Sequence, residues 1–266
     1  MHIMLLSHYP LSAGLSMRSF TALLQEALEG RGHRVSVDTA PVILGGLSNR
    51  PVVRKWLGYI DCFVLFPLLF RWRQIGMARP DLYVFSDQAL GPWLPLLGCR
   101  PNVIHCHDFL ALQSALDAKP RPGRLPHAPT MGRATSLSGQ LYQQLIRWGF
   151  RQGRCFLCVS ESTRRQLGDH LLHPPALSAV LPNPISARFA PMPASQCESL
   201  LRHALGEPLP QRFLLHVGTG WYKNRLGVLQ IWEQLRLHHH AQESLQLVLV
   251  GGLEPCLLYT SPSPRD

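Results

Sequence analysis

The feature that most constrains the fold of this chain is a regular alternation between short apolar runs and longer amphipathic stretches. Between most of the apolar runs, hydrophobic residues recur at helical spacing, as in SMRSFTALLQEALEGRGH and in residues 54–75, 88–97, 137–152 and 161–170. Strands that alternate with helices predict an α/β fold, in which helices cover both faces of a parallel sheet. The runs that we assign to strands are HIMLLS, RVSVDT, DLYVFS, NVIHCH, CFLCVS and LSAVLP.

A second pattern of strand and helix begins after a proline-rich break, PNPISARFAPMPAS, which indicates a domain boundary. After a short helix near 196–205, the segments RFLLHVG, RLGVLQIWEQLRLHH and LQLVLVGG predict one strand–helix–strand unit. Two parallel strands do not make a finished sheet domain. We therefore expect a nearly complete Rossmann-like domain at 1–184, a linker with a short helix at 185–209, and an incomplete domain at 210–255.

The chain is strongly basic, which favours an anionic partner. Its formal net charge is +10 at pH 7 and its pI is about 9.7, which suits nucleic acid, an acidic membrane surface or a phosphorylated ligand. The membrane candidate is WLGYIDCFVLFPLLF, which Asp61 and Pro67 interrupt and which is shorter than the roughly 20 residues of a spanning helix. We favour a buried helix there over an interfacial one, although Arg71 and Arg73 would suit acidic headgroups.

Cysteine usage and the N-terminus predict the cellular compartment. The chain has seven cysteines at irregular spacings. If CFLCVS is a strand, Cys155 and Cys158 point to opposite faces, which favours buried reduced thiols over a metal site or a redox pair. Reduced thiols and the lack of a signal-peptide pattern predict a cytoplasmic protein, with peripheral contact at the inner face of the membrane left open.

Two turns of the first domain contain candidate ligand-binding residues. In SHYPLSAGLSMR, Gly14 allows a close backbone approach, and the helix that follows presents N–H groups that can hold an anion. In NVIHCHDFLAL, strand alternation puts His105 and His107 on one face at the carboxyl end of the strand, where open parallel sheets bind ligands. Asp108 can cap the next helix. No further metal ligands are evident near the histidines in the sequence, so we expect no metal there.

A third candidate turn, in LLHVGTGWYKNRLGVLQ, lies in the second domain. Gly218 and Gly220 let the backbone approach a ligand closely, and Lys223 and Arg225 add positive charge near the start of the next helix. A diphosphate fits this combination of glycines, cations and a helix N-terminus. For all three turns, an ordinary turn or a polar strand end that binds no ligand remains the alternative.

Five segments, taken in order, resemble successive landmarks of the bacterial glycosyltransferases of family 4. The resemblance covers roughly residues 1–254 and implies a retaining enzyme of the GT-B fold. In that fold two Rossmann-like domains face each other across a cleft, with the acceptor mostly on the first and the nucleotide-sugar donor mostly on the second. The segments are GLSMRSFTALLQEALEGRGHRVSV, VIHCHDFLAL, LCVSESTRRQL, VLPNPI and LLHVGTGWYKNRLGVLQIWEQL.

The resemblance also implies roles for individual residues. Gly14 would lie in the glycine loop that faces the donor phosphates and the acceptor. His107 matches the histidine near the transferred sugar and would position hydroxyl groups rather than attack. Lys223, with Arg225 as a less closely matched companion, would bind the donor diphosphate and stabilise the charge that develops on the leaving group. With these cations in place, the resemblance implies no metal and no other cofactor.

The sequence departs from the family in one respect. The family carries an E-x7-E pair in the second domain, whose glutamates bind the sugar and ribose of the donor, and no such pair occurs here in a matching context. Residues 256–266, CLLYTSPSPRD, correspond to one reading frame of a transposase adapter used in preparing sequencing libraries. We therefore expect a non-native tail at 256–266, which we exclude from the fold, and a C-terminally truncated chain that is inactive by itself.

These observations predict a glycosyltransferase that moves a sugar from a nucleotide-sugar to a glycan, lipid-linked or small-molecule acceptor. One alternative is another GT-B enzyme, such as a sugar-nucleotide epimerase, because a shared fold does not decide the chemistry. The KNR and HCHD segments favour the transferase over it. A second alternative is a basic, non-enzymatic protein that binds nucleic acid. Aromatic residues do not interleave with the basic ones and no recognition motif occurs, so we expect no nucleic-acid partner.

Overall fold

The computed structural model describes two compact units that are built from separate sheets. The first unit contains the described residues up to 185, and the second contains those from 189 onwards. The residues that the structure describes are 1–12, 15–75, 78–116, 136–185, 189–206, 212–218, 223–238 and 245–251.

The first unit is built on a parallel sheet of six strands in the order β2-β1-β3-β4-β5-β6. The order reverses at β1, because β2 lies on one side of it while β3 to β6 continue on the other. The strands are β1 (His2–Leu6), β2 (Arg34–Asp38), β3 (Leu82–Phe85), β4 (Asn102–Cys106), β5 (Cys155–Cys158) and β6 (Leu177–Val180). The predicted α/β class and parallel sheet are therefore confirmed.

The helices of the first unit follow the predicted alternation, with one difference of type. Residues 88–97 form a 3₁₀ helix, Gln88–Leu97, rather than an α-helix, and it contains Pro92 and Pro95. Each proline lacks the N–H group that an α-helix needs and disfavours α geometry in the residue before it. The α-helices are α1 (Leu15–Glu29), α2 (Pro51–Ile60), α3 (Phe66–Arg73), α4 (Leu110–Leu116), α5 (Leu137–Phe150) and α6 (Glu161–His170).

A π-helical turn, Asp61–Leu65, joins α2 to α3 within the stretch that the sequence marks as a membrane candidate. Asp61 is fully buried there, and its carboxylate accepts hydrogen bonds from the Tyr9 hydroxyl (2.7 Å) and from the backbone N–H groups of residues 43–45. Burial raises the pKa of the Asp61 carboxyl, but these hydrogen bonds outweigh it and leave the pKa below its ordinary value. In the described part of the chain, no helix is long and apolar enough to cross a membrane.

The core of the first unit is rich in aromatic side chains. Phe66, Phe70 and Phe156 are at most 1% exposed and belong to one continuous apolar cluster. The 3₁₀ helix and α5 approach so closely that a side chain added at Gly91 or Gly149 would collide with backbone atoms of the other element. Glycine at these two positions therefore lets the two helices meet and close the core on that side.

The second unit contains only two strands in its described residues, and they pair in parallel. β7 (Arg212–Val217) and β8 (Leu245–Val250) are joined through α8 (Arg225–His238), and α7 (Ala194–Leu205) precedes them. Every apolar side chain that is fully buried among the described residues belongs to the first unit. In β7, by contrast, Phe213 is 38% exposed and Leu215 is 57% exposed. The strand–helix–strand unit that the sequence predicts is present, but it lacks a buried core among these residues.

The described cysteines are all free thiols. Cys158 is buried and Cys155 is partly exposed, which agrees with the predicted opposite orientations on β5. No group of three or more histidine, cysteine or acidic side chains in the described residues could hold a metal ion. The tail at 256–266 lies outside the described residues.

Candidate functional site

The carboxyl ends of the parallel strands bring several polar residues of the first unit to one edge of the sheet. In an open α/β sheet, ligands bind at this edge, next to the point where the strand order reverses. Here the order reverses at β1, so this point lies between β1 and its neighbour β3. His8 follows β1, Asp87 follows β3, and His107 follows β4.

His8 and Asp87 form a hydrogen bond across the point of reversal. His8 Nε2 lies 2.9 Å from Asp87 Oδ2, and both side chains are largely buried. The other carboxylate oxygen, Asp87 Oδ1, accepts a hydrogen bond from the backbone N–H of Ala89 and so caps the 3₁₀ helix. Because the carboxylate accepts from Nε2, the neutral imidazole of His8 has its lone pair on Nδ1. A side chain held in this way can accept a proton from a hydroxyl group.

His107 is fixed in a single orientation at the end of β4. Its Nε2 donates to the backbone carbonyl of Ser86 (2.9 Å), and its ring packs edge-on against Phe20, with 4.7 Å between the ring centroids. Since a carbonyl can only accept, Nδ1 is the acceptor nitrogen of the neutral ring, and the amide of Asn183 lies 3.4 Å from it. His107 can therefore accept a hydrogen bond from a ligand hydroxyl at Nδ1 without changing its tautomer.

The other two candidates from NVIHCHDFLAL have structural contacts. His105 is 3% exposed and packs against Phe20, and burial, together with the nearby His107, lowers its pKa to about 4 despite the opposing effect of Asp87. Asp108 Oδ1 accepts a hydrogen bond from the backbone N–H of Leu110 at the start of α4, as the sequence predicts. His105 is thus a neutral core residue, whereas His107 and Asp108 both line a cavity of about 230 Å³. Gly14 lies outside the described residues.

A larger cavity of about 420 Å³ lies beside the His8–Asp87 hydrogen bond, and His8 forms part of its wall. The β1–α1 connection, α2, the π-helical turn, the 3₁₀ helix and α5 all contribute to it. Most of its lining is apolar or aromatic, with Arg54 and Lys55 as its cations. The two cavities share Ala89 in their linings, so they lie side by side at the carboxyl edge of the sheet.

The second unit places Gly218, Lys223 and Arg225 in one turn between β7 and α8. Gly218 has a φ of +117°, and a Cβ added there would lie 3.0 Å from Cγ of Lys223, so this position requires glycine. The Arg225 side chain is 6% exposed, and its Nη2 donates to the carbonyl of Gly218 (2.7 Å). Lys223 is exposed. The turn thus brings the three predicted residues together, with Arg225 bonded to its backbone; Gly220 lies outside the described residues.

Reasoning from the sequence missed the His8–Asp87 pair and the Tyr9–Asp61 contact. His8 and Asp87 lie 79 residues apart, and only the strand order makes them neighbours. A signal was nevertheless present, because each residue directly follows a predicted strand. The sequence treats Asp61 as an interruption of an apolar run, and nothing in its local pattern predicts Tyr9 as its partner.

Comparison with solved structures returns matches of low similarity. Medicago truncatula UGT71G1, solved with UDP-glucose, is 12% identical with a TM-score of 0.47, over 97% of this chain and 73% of that one. TcCGT1, solved with UDP, is 13% identical with a TM-score of 0.49, over 82% of this chain and 57% of that one. A UDP-glucose:anthocyanidin 3-O-glucosyltransferase, solved with UDP, is 10% identical with a TM-score of 0.47, over 82% and 60%. This chain thus spans less than two thirds of the length of the last two of these proteins.

Comparison at the sequence level gives a clearer result. No curated protein matches the chain at a significant level. The profile of one protein family, described as Glycosyltransferase Family 4, matches residues 17–189. This match covers most of the first unit, including β4 with His107 and Asp108, and it extends over more than half of the chain. The chain therefore belongs to Glycosyltransferase Family 4.

Proposed function

We propose that this chain is the acceptor-side part of a retaining glycosyltransferase that transfers a sugar from a nucleotide-sugar donor. The observation that carries the proposal is the family match over 17–189, which includes Asp87 and His107, together with the contact of Asp87 with His8 at the carboxyl edge of the sheet. These side chains come from three neighbouring parallel strands, at the edge where such sheets bind their ligands.

In this proposal His107 positions the sugar. Its Nε2 is held by the Ser86 carbonyl, so Nδ1 faces the ligand as an acceptor for a sugar hydroxyl, in place of the Asn183 amide. Because the orientation of the ring is fixed before the ligand binds, little conformational entropy is lost on binding, and a productive arrangement of the reacting groups is favoured. The role is that of a substrate-binding residue in direct contact with the sugar, and the imidazole forms no covalent intermediate.

The second unit supplies the donor diphosphate site in this proposal. Lys223 contacts the diphosphate, and Arg225, whose Nη2 is bonded to the Gly218 carbonyl, also holds the turn that the phosphates meet. The family resemblance also assigns Gly14 to the donor phosphates, and that role is part of the proposal. Residues 210–255 are then the start of a donor-side domain whose remaining strands and E-x7-E pair lie beyond them. Without those parts the donor is not oriented, so the chain by itself does not catalyse transfer.

Peripheral contact with an acidic membrane is also part of this proposal. Large apolar side chains are exposed at every fourth position along α2, the π-helical turn and α3, and we call this set the apolar stripe: Val52, Trp56, Ile60, Val64, Leu68 and Trp72. Basic residues flank it at both ends, Arg54 and Lys55 near the start and Arg71 and Arg73 near the end. An apolar face between basic residues suits the interface of an anionic bilayer.

The decisive experiment compares this chain with the same chain extended by the open reading frame that follows Pro255 at its source. Both proteins are incubated with radiolabelled UDP- and GDP-sugars and a membrane extract as the source of acceptor. We expect the extension to carry the E-x7-E pair, and we expect transfer by the extended protein but not by the shorter chain. His107→Ala should reduce that transfer by about 100-fold or more, with unchanged thermal stability.

Two outcomes contradict parts of the proposal. Turnover by the 266-residue chain alone would show that it is not an inactive part of the enzyme. An extension that encodes no further strands and no E-x7-E pair would remove the donor-side domain from the proposal. Epimerisation of the nucleotide-sugar without transfer would identify the alternative GT-B chemistry.

A further inference from the structure

The cavity of about 420 Å³ in the first unit has a lining that specifies the chemistry of its occupant. Its volume lies in the usual range for small-ligand pockets, about 300–1,000 Å³. All of its described lining residues belong to the first unit. Its aromatic residues are Tyr9, Tyr59, Phe63, Trp93 and Tyr142.

The aromatic residues present mainly ring carbons to the cavity. Tyr59 and Tyr142 stack with their ring centroids 5.3 Å apart, and Phe63 packs against Tyr142 at 6.0 Å. The polar atoms of the other two are already bonded, since the Tyr9 hydroxyl donates to Asp61 and Trp93 Nε1 donates to the Cys62 carbonyl. A wall of ring carbons favours an apolar body, because removing apolar surface from water is favourable there and the polar atoms of Tyr9 and Trp93 keep their partners.

The cationic groups of the cavity come from the start of α2. Arg54 and Lys55 line the cavity with exposed side chains, and Lys55 Nζ lies 5.7 Å from the ring centroid of Tyr59. None of the described residues that line the cavity is acidic. Two cations at its rim suit an anionic group, and guanidinium and ammonium groups bind phosphate well.

The position of the cavity indicates where such a ligand comes from. Its wall includes Tyr59 and Phe63, which lie on the same continuous helical segment as the apolar stripe. Trp56 belongs to the stripe and packs edge-on against Tyr59, with 5.6 Å between the ring centroids. A molecule anchored in a membrane next to the stripe can therefore reach the cavity along one helix.

We infer that this cavity binds the acceptor, and that the acceptor carries a phosphate group and a single apolar chain. The chain packs against Tyr59, Phe63 and Tyr142, and the phosphate binds to Arg54 and Lys55. His8 and Ser12 line the same cavity on the side of the sheet edge, where the hydroxyl that receives the sugar has to lie. The identification of the ligand as an acceptor rests on the proposed function, whereas the binding chemistry does not.

The test measures binding to the purified chain by calorimetry, without any donor. The probe is geranyl phosphate, compared with geraniol and with inorganic phosphate, and a single-chain lysophosphatidate distinguishes a glycerolipid source from a prenyl source. We expect geranyl phosphate or the lysophosphatidate to bind at least about tenfold more tightly than geraniol and phosphate. Replacing both cations, Arg54→Gln with Lys55→Gln, should weaken that binding by about tenfold or more.

The matched control is Arg165→Gln, which removes an exposed cation of α6 that neither lines the cavity nor flanks the apolar stripe. It should leave the affinity unchanged, and the thermal stability of both variants should equal that of the parent chain. If geraniol and geranyl phosphate bind equally tightly, the cavity has no phosphate site. If inorganic phosphate binds as tightly as geranyl phosphate, the cavity has no site for an apolar chain. No saturable binding of either amphiphile overturns the inference, while a failed transfer assay with intact binding contradicts only the proposed function.

Discussion

Two phenylalanines in comparable strands show how differently the two units are built. Phe156 in β5 is fully buried, because its strand has a neighbour on each side and belongs to the continuous core of the first unit. Phe213 in β7 is 38% exposed, because its described sheet has a single further strand. Both strands are short apolar runs of the same kind. Local sequence therefore specifies the strand, and the neighbours of that strand specify whether it is buried.

The sharpest test of this comparison removes each ring in turn. Phe156→Ala should lower the free energy of unfolding of the first unit by about 3–5 kcal/mol, since it leaves a cavity in a closed core. Phe213→Ala should cost about 0.5 kcal/mol or less, as is usual for exposed positions. Urea denaturation, with hydrogen exchange read separately for β5 and β7, measures both. Equal losses would show that the second unit has a core of its own and that the contrast is wrong.

The pH dependence of stability should also differ between the units. Burial lowers the pKa of His105 from 6.5 to about 4, so the unfolded chain binds a proton in a range where the folded chain does not. The first unit should therefore lose stability, by up to about 3 kcal/mol, as the pH falls from about 6.5 to about 4. His105→Gln should flatten that dependence in urea denaturation at a series of pH values. The exposed His203 of α7 is the control, and His203→Gln should leave the profile as it is.

A smaller effect tests whether the second unit has a fixed structure at its candidate phosphate turn. Gly218 has a φ of +117° and lies against Lys223, so Gly218→Ala should introduce strain of about 1–3 kcal/mol. Hydrogen exchange of the β7 and β8 amides should become faster, while that of β1 and β3 stays the same. If exchange in β7 is already complete at the earliest time point in the parent chain, the turn is not ordered enough to carry such strain.

The smallest expected change is a gain. Gly168 lies inside α6 of the first unit, and a Cβ added there would meet no other atom within 4 Å. Gly168→Ala should stabilise the first unit by about 0.5–1 kcal/mol, because alanine loses less conformational freedom in a helix. Thermal unfolding measures the change. A loss of stability instead would mean that α6 packs more tightly than the structure describes.

The regular parts of the fold were predictable from the sequence, because they depend on local periodicity. The strands of both units lie within the predicted runs, and α6 occupies residues 161–170 as predicted. The helix at 88–97 was also predicted, but not its 3₁₀ type, which Pro92 and Pro95 favour because proline disrupts α-helical geometry. The π-helical turn has no local signal in the sequence, and the donors that Asp61 accepts from within it come from distant parts of the chain.

The candidate site was predictable only in part, for a related reason. His107 and Asp108 were singled out because they follow a strand at the carboxyl edge, where open parallel sheets bind ligands. Asp108 caps α4 as predicted. The prediction did not separate His105, a buried neutral residue, from His107, because alternation places both on one face. His8 and Asp87 were missed because their contact depends on strand order, which periodicity does not specify. The phosphate-binding roles of Gly14, Gly218, Lys223 and Arg225 stay predictions.

The extra residue held by the π-helical turn has a consequence for any variant of this family member. Each residue advances an α-helix by about 100°. A π-helical turn holds one residue more than an α-helical turn, so deleting one residue between Asp61 and Leu65 should convert it to a regular α-helix and leave Phe66 and Phe70 in phase with the core. An inserted residue should instead turn all of α3 by roughly that angle and move Phe66 and Phe70 out of the core. The segment should therefore tolerate a one-residue deletion better than a one-residue insertion.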